Sequence, residues 1–492
     1  MENKYYLAVD LGATSGRTVL SSFDGERVQM RELTRFRNPM IPLGGHLFWD
    51  LPALYYEILQ ALRQVAAEGV TLTSVGIDSW GCDFAFFSAD GRLLGLPYCY
   101  RDTHTEGAME RFFGVVPAER LYGLTGIQFM NFNSLFQLDT LRRDGCPYRA
   151  AADKVLFIPD ALSYMLTGEA VTEYTVASTS QLLNPHTGRL EPELLSAVGL
   201  TESHFGAMVQ PGCRVGTLSE QVQRSTCLPA VPVVAVAGHD TASAVAAVPA
   251  ADGHFAYLSC GTWSLLGIET PQPVITGESF RLNFTNEGGL DGTTRFLKNI
   301  CGLWLLERCR EEWSGEEARD VAALSALCTA SHYDGLINPD APCFASPVSM
   351  TQAIADYCRR TGQPVPQSVA DHVRCIFRSL ALRYRQVTGW LREVSPFPIE
   401  RLHVIGGGSQ NPYLMQYTAD ATGLPVVCGP VEGTALGNTL VQVRASGGVD
   451  TLRDMRRLSA ASVELKRYTP SASDEWERAY ERFLAVQQKE NV

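Results

Sequence analysis

The segment that most constrains the fold is an apolar, β-branched run at residues 231–237, which stops abruptly at the sequence Gly-His-Asp-Thr. Apolar residues on both alternating faces are typical of a buried parallel strand, and the small residues from Ala242 to Ala247 predict the start of a helix. Ligands of open parallel sheets bind beyond the carboxyl ends of the strands. Asp240 lies at this position, where it either caps the helix or projects into a ligand site. The segment alone leaves both interpretations open.

The chain of 492 residues is longer than the roughly 250–300 residues that one hydrophobic core usually supports, so we expect two domains. Its net charge of -12 argues against nucleic acid or an anionic membrane as a partner and favours small molecules. The N-terminus has no signal-peptide pattern, and no apolar run approaches the ~20 residues of a membrane span. We therefore expect a cytoplasmic protein with small-molecule substrates, and the sequence indicates no particular oligomeric state.

The cysteines are thirteen in number and scattered, mostly inside apolar segments. They form no CxxC pair and have no spacing to histidines that suits zinc. Cys358 and Cys375 bracket a proline-containing loop and are close enough in sequence to meet in space. In a reducing cytoplasm we expect these side chains to be thiols, and a disulfide between Cys358 and Cys375 is the alternative.

The two halves of the chain open with the same layout of strand, small-residue turn and returning strand. A small, turn-prone segment at 249–253 separates them. This layout predicts a duplicated α/β fold, with domains at 1–248 and 249–492. We expect mainly helices at 104–166 and an irregular segment at 169–223. The other predicted strands are 5–10, 18–23, 28–33, 72–78, 255–259, 263–268, 401–405 and 425–428, and the other predicted helices are 50–69, 303–312, 368–393, 411–422, 432–445 and 474–488.

The first chemical motif is the segment 10–17, with the sequence DLGATSGR. Its two glycines allow backbone N–H groups to approach phosphate oxygens, the two hydroxyl residues between them add donors, and Arg17 adds a fixed positive charge. Asp10, at the end of the preceding strand, is placed to hold Mg²⁺ through water. The pattern is neither a Walker loop nor a dinucleotide fingerprint. A plain hairpin turn remains the alternative.

Two further small-residue turns occur in the second half. The turn at 259–264, with the sequence SCGTWS, matches the first motif in layout and is placed to hold the same phosphates from another side. At 404–411 three glycines follow a predicted strand, which suits a nucleoside lying against bare backbone. Each of these, taken alone, is also explained by an ordinary tight turn.

These three motifs occur in this order with Asp240 between the first and the second, and in this arrangement the chain resembles the FGGY family of carbohydrate kinases. The resemblance covers nearly the whole chain. It implies an α/β protein of two actin-like (ribonuclease H-like) domains that close around ATP and a sugar. It also implies that domain 1–248 mainly binds the sugar and carries the first phosphate loop and the catalytic aspartate, while domain 249–492 mainly binds the nucleotide.

Four segments, 77–84, 126–129, 238–244 and 297–304, are similar to those of family members that phosphorylate L-rhamnulose. Xylulose and glycerol kinases carry different residues after the fourth strand. The resemblance therefore implies ATP-dependent phosphorylation of the 1-hydroxyl of L-rhamnulose, a step of L-rhamnose catabolism. A kinase for a related ketose, L-fuculose or L-xylulose, is the alternative within the family. A non-enzymatic, actin-like ATP-binding protein is the alternative from another class.

The resemblance also implies roles for individual residues. Asp240 is implied as the general base and Asp10 as the anchor for Mg²⁺. Glu307 stands near the nucleotide, at a position where relatives carry Gln. Of the cysteine pairs known in relatives, only Cys358 and Cys375 both have counterparts here. The implied nucleotide contacts are Ala13, Thr14, Ser15, Gly16, Arg17, Thr262, Glu307 and Gly407, and the implied sugar contacts are Gly81, His239, Asp240, Thr241 and Asn299.

Two more carboxylates and several aromatic residues lie near these motifs. Asp78 and Asp83 flank the end of the fourth predicted strand, where each either serves the metal or the sugar or caps a turn. Trp49 and Trp80 either face the methyl-bearing sugar or belong to the core. The sequence leaves these alternatives open.

Overall fold

The computed structural model describes residues 3–315, 320–471 and 474–490. The chain divides into two compact units that are discontinuous in sequence. The first unit consists of Met1–Ala251, Glu269–Phe296 and Gly433–Val463, and the second of Asp252–Ile268, Leu297–Glu432 and Glu464–Val492. The first boundary, between Ala251 and Asp252, falls within the turn-prone segment 249–253.

The first 251 residues contain fourteen strands and ten α-helices within the described part of the chain. They are β1 (Lys4–Leu11), β2 (Ser15–Phe23), β3 (Val28–Arg37), β4 (Met40–Leu43), β5 (His46–Trp49), α1 (Leu51–Ala67), β6 (Leu72–Ser79), β7 (Phe84–Phe87), α2 (Ala108–Phe113), α3 (Ala118–Thr125), α4 (Ser134–Arg143), α5 (Pro147–Ala151), β8 (Lys154–Phe157), α6 (Ile158–Thr167), β9 (Val171–Glu173), α7 (Tyr174–Ser178), β10 (Leu183–Asn184), β11 (Arg189–Leu190), α8 (Pro192–Ala197), β12 (Ala207–Val209), β13 (Arg214–Thr217), α9 (Glu220–Thr226), β14 (Pro232–Val234) and α10 (Asp240–Ala246).

The rest of the chain contains the longest helix described, which is α15 with 26 residues. Its elements are β15 (Phe255–Cys260), β16 (Trp263–Thr270), α11 (Gly277–Arg281), β17 (Thr285–Gly288), β18 (Thr294–Cys301), α12 (Trp304–Glu312), α13 (Val321–Ala326), α14 (Met350–Arg360), α15 (Val369–Val394), β19 (Arg401–Ile405), α16 (Pro412–Thr422), β20 (Val426–Cys428), α17 (Gly433–Ala445), α18 (Leu452–Ser462), β21 (Lys466–Tyr468) and α19 (Asp474–Lys489).

The main sheet of the first unit has the strand order β13–β14–β6–β1–β2–β3. Its three central strands, β14, β6 and β1, run parallel, whereas β1, β2 and β3 form an antiparallel meander. The carboxyl ends of the parallel strands therefore meet at one edge of the sheet, which is where open α/β sheets bind ligands.

The sheet centred in the second unit follows the same plan. From β18 onwards its strands follow in the order β18–β16–β15–β19–β20–β21, with β15, β19 and β20 parallel and the β15–β16 pair antiparallel. The repeated layout of hairpin followed by parallel strands is the one predicted from the sequence.

Helix α1 shows how the first unit is packed. Asp50 accepts a hydrogen bond from the backbone N–H of Ala53, and Pro52 lies in the first turn, so the sequence fixes where this helix begins. Leu54, Ile58 and other side chains at helical spacing are fully buried in the core that also contains the β1 and β6 side chains. Burial of such a stripe supplies most of the stability of a helix in water.

The prediction that the segment 169–223 is irregular is wrong. It contains two complete helices, α7 and α8, most of α9, and the short strands β9–β13. These elements have at most seven residues each, which is too short for a periodic pattern to show in the sequence. The region 104–166 is mainly helical as predicted, but β8 lies within it and pairs with β7.

Two sequence expectations concern the chain as a whole. All thirteen cysteines are free thiols, Cys358 and Cys375 included. Across residues 3–315, 320–471 and 474–490, none of the helices combines the length and apolar character needed to cross a membrane.

Candidate active site

Three carboxylates lie at the carboxyl ends of neighbouring parallel strands in the first unit. Asp10 is the register partner of Asp78 in the β1–β6 pair. Beyond the end of β14, His239 forms a parallel bridge with Ser79, so Asp240 follows at the same edge of the sheet. Sequence reasoning predicted Asp10 and Asp240 at strand ends, and the fold brings them together with Asp78.

Asp78 is fully buried. Its Oδ2 accepts a hydrogen bond from Nδ2 of Asn438 at 2.6 Å, and its Oδ1 has no hydrogen-bond partner among the described residues. Burial raises the pKa of Asp78 well above its usual value, and the negative charges of Asp10 and Asp240 raise it further. A carboxylate in this position lies within a strand rather than at a turn, and it would be stabilised by a cation.

The residues at this edge fit a divalent metal ion. Carboxylate oxygens are the ligands that Mg²⁺ prefers, and the ion usually keeps several waters and binds substrate phosphates as well. The described part of the chain contains no group of three or more His, Cys, Asp or Glu side chains that could hold a metal ion. Asp10 and Asp78 are the residues that fit best.

Asp240 is the first residue of α10, and its side chain is 32% exposed. Oδ1 accepts hydrogen bonds from the backbone N–H and the hydroxyl of Thr241, at 2.5 and 3.1 Å. Nε2 of His239 lies 3.4 Å from the same oxygen. No described residue donates a hydrogen bond to Oδ2. The carboxylate is therefore held through one oxygen, and the other is open to accept a proton.

His239 contacts a buried ion pair. Oε2 of Glu287 lies 3.2 Å from its Nδ1, and Nη2 of Arg295 lies 3.2 Å from Nδ1 and 3.1 Å from the Glu287 oxygen. Burial opposes the ionisation of Glu287, but the Arg295 guanidinium and the His239 ring lower the pKa of its carboxyl below the usual value. The imidazole thus lies between this pair and Asp240.

Glu173 fixes the backbone that precedes His239. The buried Glu173 carboxylate accepts hydrogen bonds from Thr175, from the Val176 N–H and, at 3.0 Å, from the Gly238 N–H. A Cβ atom on Gly238 would lie 2.8 Å from the Glu173 carboxylate, so only glycine allows this approach. Gly238 is therefore required because the backbone at this position lies against the buried Glu173 carboxylate.

The predicted phosphate loop connects β1 and β2. Its turn is closed by the Gly12 N–H, which donates to the Ser15 carbonyl at 2.9 Å. A Cβ atom on Gly16 would lie 2.3 Å from the Phe36 ring, so Gly16 is required by packing. The remaining predicted contacts, Ala13, Thr14 and Ser15, lie on this half-buried to exposed turn.

Arg17 and Asp10 form an ion pair. The Nε and Nη2 atoms of Arg17 donate to Oδ2 of Asp10 at 2.9 and 2.7 Å, because the two residues are register partners in the β1–β2 hairpin. The positive charge predicted for phosphate and the negative charge predicted for metal are therefore paired with each other in this structure.

Gly81 lies in a strained turn. The Asp83 N–H donates to the Gly81 carbonyl at 2.9 Å, and Cys82 between them has a φ of 71°, which is a γ-turn of the rare kind. The Cys82 N–H donates to the hydroxyl of Thr179, which would lie 2.7 Å from a Cβ on Gly81. The turn is thus held in one conformation by its neighbours.

The buried Asp83 carboxylate supports this turn. It accepts hydrogen bonds from the indoles of Trp49 and Trp80 at 2.6 and 2.9 Å, from Gln137 at 2.8 Å and from the Tyr100 N–H at 3.1 Å. Both indoles belong to the core. Of the alternatives open for Asp83, this geometry supports a structural role.

The predicted site residues of the second unit lie in two turns, a strand and a helix. The Thr262 carbonyl accepts hydrogen bonds from the N–H groups of Gly302 and Trp304, which fixes the turn between β15 and β16. Asn299 is half-buried in β18. Gly407 is exposed in the turn after β19, and nothing lies within 4 Å of the position of a Cβ there.

Glu307 lies in helix α12 and pairs with Arg310 of the same helix at 2.7 Å, with 48% of its side chain exposed. This intrahelical pair uses both carboxylate oxygens. A nucleotide contact through Glu307 would compete with Arg310.

Sequence reasoning missed Glu287, Arg295, Glu173 and Asn438. No sequence pattern indicates these contacts, because they join segments that are distant along the chain.

A carboxylate with one open oxygen, beside two carboxylates that suit a cation, is compatible with the transfer of a phosphoryl group to a hydroxyl. The model of the FGGY family of carbohydrate kinases, N-terminal domain, matches residues 5–247, and the model of the C-terminal domain matches residues 256–446. The chain belongs to this family, and it is therefore a carbohydrate kinase that uses ATP.

Curated relatives cover almost the whole chain. The rhamnulokinase of Bacteroides thetaiotaomicron is 58% identical over 97% of this chain and 98% of its own length. The rhamnulokinases of Pectobacterium atrosepticum and Bacillus subtilis are 44% and 38% identical, over 100% and 95% of this chain and 98% and 96% of their own lengths.

Solved structures show the same fold at low sequence identity. The ligand-bound xylulose kinase of Lactobacillus acidophilus has a TM-score of 0.83 and 16% identity, covering 99% of this chain and 98% of its own. The glycerol kinase of Plasmodium falciparum with ADP has a TM-score of 0.77 and 15% identity, covering 99% and 97%. The predicted two-domain α/β fold is therefore confirmed.

Proposed function

We propose that this carbohydrate kinase phosphorylates L-rhamnulose at its 1-hydroxyl with ATP, giving L-rhamnulose 1-phosphate and ADP in L-rhamnose catabolism. The choice of sugar rests on the rhamnulokinases that are 38–58% identical to the chain over nearly their full lengths. The observation that carries the chemistry is Asp240, whose Oδ1 is held by Thr241 while Oδ2 stays open.

In the proposed reaction the oxygen of the sugar 1-hydroxyl attacks the γ-phosphorus of ATP and the bond to the β–γ bridging oxygen breaks. Oδ2 of Asp240 accepts the hydroxyl proton as the new bond forms. A base can do this only within hydrogen-bond reach of the hydroxyl, a position that an aspartate beyond the carboxyl end of a strand is able to take.

We assign the remaining contacts as the family resemblance implies. Thr262 and the turn 13–17 would bind the phosphates, and Gly407 and Glu307 would lie near the nucleoside. When ATP binds, Arg17 would leave its ion pair with Asp10 and pair with a phosphate group instead. Mg²⁺ held near Asp10 and Asp78 would neutralise phosphate charge. The sugar contacts would be Gly81, His239, Thr241 and Asn299.

We also propose that residues 1–248 mainly bind the sugar and residues 249–492 mainly the nucleotide. The support is that the proposed base and most proposed sugar contacts precede residue 249, while Thr262, Glu307 and Gly407 follow it. A cytoplasmic location remains a prediction from the sequence.

The experiment that tests the choice of sugar is an assay of the purified chain with MgATP and a panel of ketoses. We expect L-rhamnulose to have the highest kcat/KM, ahead of L-fuculose and L-xylulose. A higher kcat/KM for either of the other two would contradict the choice of sugar while leaving the kinase intact. No phosphorylation of any ketose would contradict the proposed function altogether.

A further inference from the structure

The buried pair of Glu287 and Arg295 has no part in the function proposed above, yet it touches the residue beside the proposed base. Arg295 is 1% exposed and Glu287 is 6% exposed in their side chains. Nε of Arg295 donates to the Gly288 carbonyl at 2.9 Å, which fixes the guanidinium against the backbone of β17. Burying two charges costs free energy that a well-packed apolar pair would not, so such a pair is weak support for stability as its role.

The surroundings of the His239 ring decide which nitrogen carries a hydrogen. A guanidinium only donates hydrogen bonds, and Nη2 of Arg295 lies 3.2 Å from Nδ1 of His239. The nearest charged group to Nε2 is the Asp240 carboxylate, which only accepts when ionised, with Oδ1 at 3.4 Å. A neutral ring with its hydrogen on Nδ1 alone would place N–H against the Arg295 N–H on one side and a lone pair against the Asp240 carboxylate on the other. Oε2 of Glu287 also lies 3.2 Å from Nδ1, but it has no hydrogen-bond partner among the described residues.

The two other states of the ring both carry a hydrogen on Nε2. In the neutral state Nδ1 accepts from Nη2 of Arg295, and in the protonated state the charge of the ring lies beside Glu287, whose Oε2 is 3.2 Å from Nδ1. In either state the hydrogen is on Nε2, and Oδ1 of Asp240 lies 3.4 Å from that nitrogen. The partners of one imidazole nitrogen thus determine what the other nitrogen presents to its neighbour.

We propose that Glu287 and Arg295 are positioning residues, which keep a hydrogen on Nε2 of His239 and thereby fix the orientation of the Asp240 carboxylate. The inference rests on the proposed function in that it assigns the pair to the proposed base. Thr241 is hydrogen-bonded to Oδ1 and Nε2 of His239 lies 3.4 Å from the same atom, so Oδ2 is the oxygen left to face the substrate. Neither residue of the pair touches the substrate or the reacting atoms.

The first test reads the position of the hydrogen directly and requires no turnover. The full chain is labelled with ¹⁵N-histidine, and the His239 signals are identified by their loss in His239→Gln. We expect long-range ¹H–¹⁵N spectra of the wild type to show a hydrogen on Nε2. A His239 ring with its hydrogen on Nδ1 alone would overturn the inference.

The second test compares two buried ion pairs of the first unit. Glu287→Gln removes the charge that holds Arg295 beside His239, so we expect kcat for L-rhamnulose to fall by about 10- to 100-fold, as for a misplaced catalytic group. The KM for MgATP should not change. The matched control is Glu269→Gln, in the buried pair of Glu269 with Arg456, whose side chains are 12% and 11% exposed. This control should keep the wild-type kcat.

The outcomes separate positioning from a general effect on folding. An equal loss of kcat in both variants, or no loss in Glu287→Gln, would overturn the inference. A loss confined to Glu287→Gln, with the hydrogen moved to Nδ1, would confirm it. If the wild type does not phosphorylate L-rhamnulose, the choice of sugar fails, and the ¹⁵N spectrum of the wild type still confirms or overturns the position of the hydrogen.

Discussion

Asp83 shows how a single buried carboxylate shapes the region around Gly81. Burial raises the pKa of Asp83 to about 6, although hydrogen bonds from Gln137, Trp49, Trp80 and the Tyr100 N–H lower it. Hydrogen bonds from these four donors offset part of the free-energy cost of burying the ionised carboxylate.

This pKa predicts a pH dependence of stability. The unfolded chain titrates near pH 4 and the folded chain near pH 6, so the folded state binds more protons in between. The contribution of Asp83 to the free energy of unfolding should therefore fall by roughly 2 kcal/mol as the pH rises from about 4 to about 6. Urea unfolding of the wild type and Asp83→Asn at several pH values measures this contribution as their difference.

The control for Asp83→Asn is Asp90→Asn, which changes a side chain that is 58% exposed. Its difference from the wild type should stay constant over the same pH range, because a hydrogen bond from Ser88 lowers the pKa of Asp90. A difference for Asp83→Asn that does not vary with pH would contradict the prediction.

At the scale of residues, local pattern predicted part of the site. Asp10 and Asp240 were predicted because each lies where an apolar, strand-like run stops. Asp10 lies near the end of β1, and Asp240 begins α10 beyond the end of β14. Glu287 and Arg295 were not predicted as site residues, because their contact with His239 joins segments about 50 residues apart and has no local signature. The roles assigned by resemblance remain proposals.

The contact between α10 and α17 is closer than most helix pairs allow. A Cβ atom on Gly437 in α17 would lie 1.7 Å from the Ser243 carbonyl in α10, and Ser243 is three residues after Asp240. Gly437 therefore sets the position of the helix that begins with the proposed base.

We expect Gly437→Ala to destabilise the protein by at least the 1–3 kcal/mol or so typical of overpacking, because backbone atoms cannot yield as a flexible side chain can. We also expect a lower kcat, because α10 must move. Thermal unfolding and the L-rhamnulose assay measure the two effects. The matched control is Gly123→Ala in α3, where nothing lies within 4 Å of the added methyl group and helix propensity favours alanine by about 0.5–1 kcal/mol. Equal stability of the two variants would contradict this account.

Elements with strong local signals were predicted closely. The predicted helix at 368–393 is Val369–Val394, because Ser368 and Asp371 form a capping box and a long apolar stripe follows. The predicted strand at 231–237 is only Pro232–Val234. Beyond Val234 the backbone instead bonds outside the regular ladder, with Ala235 donating to the Cys213 carbonyl. Such tertiary bonds are not visible in a pattern of apolar residues.

For the whole molecule, the duplicated α/β layout was predicted because the strand–turn–strand pattern repeats. The discontinuity of the units was not predicted. Glu269–Phe296 and Gly433–Val463 belong to the first unit although they lie in the second half of the sequence. Nothing in their composition distinguishes them, since the assignment depends on contacts between segments distant in the chain.

The proposed function of the whole molecule requires Asp240 to accept the proton of the sugar hydroxyl. The direct measurement is kcat of Asp240→Asn with L-rhamnulose and MgATP, together with MgATP binding by calorimetry. We expect kcat to fall by about 10²- to 10⁴-fold with MgATP binding retained, because the amide keeps the shape of the side chain but cannot accept the proton. Asp90→Asn changes an exposed side chain that is not among the proposed contacts, and it should keep the wild-type kcat. A kcat for Asp240→Asn close to that of the wild type would contradict the account.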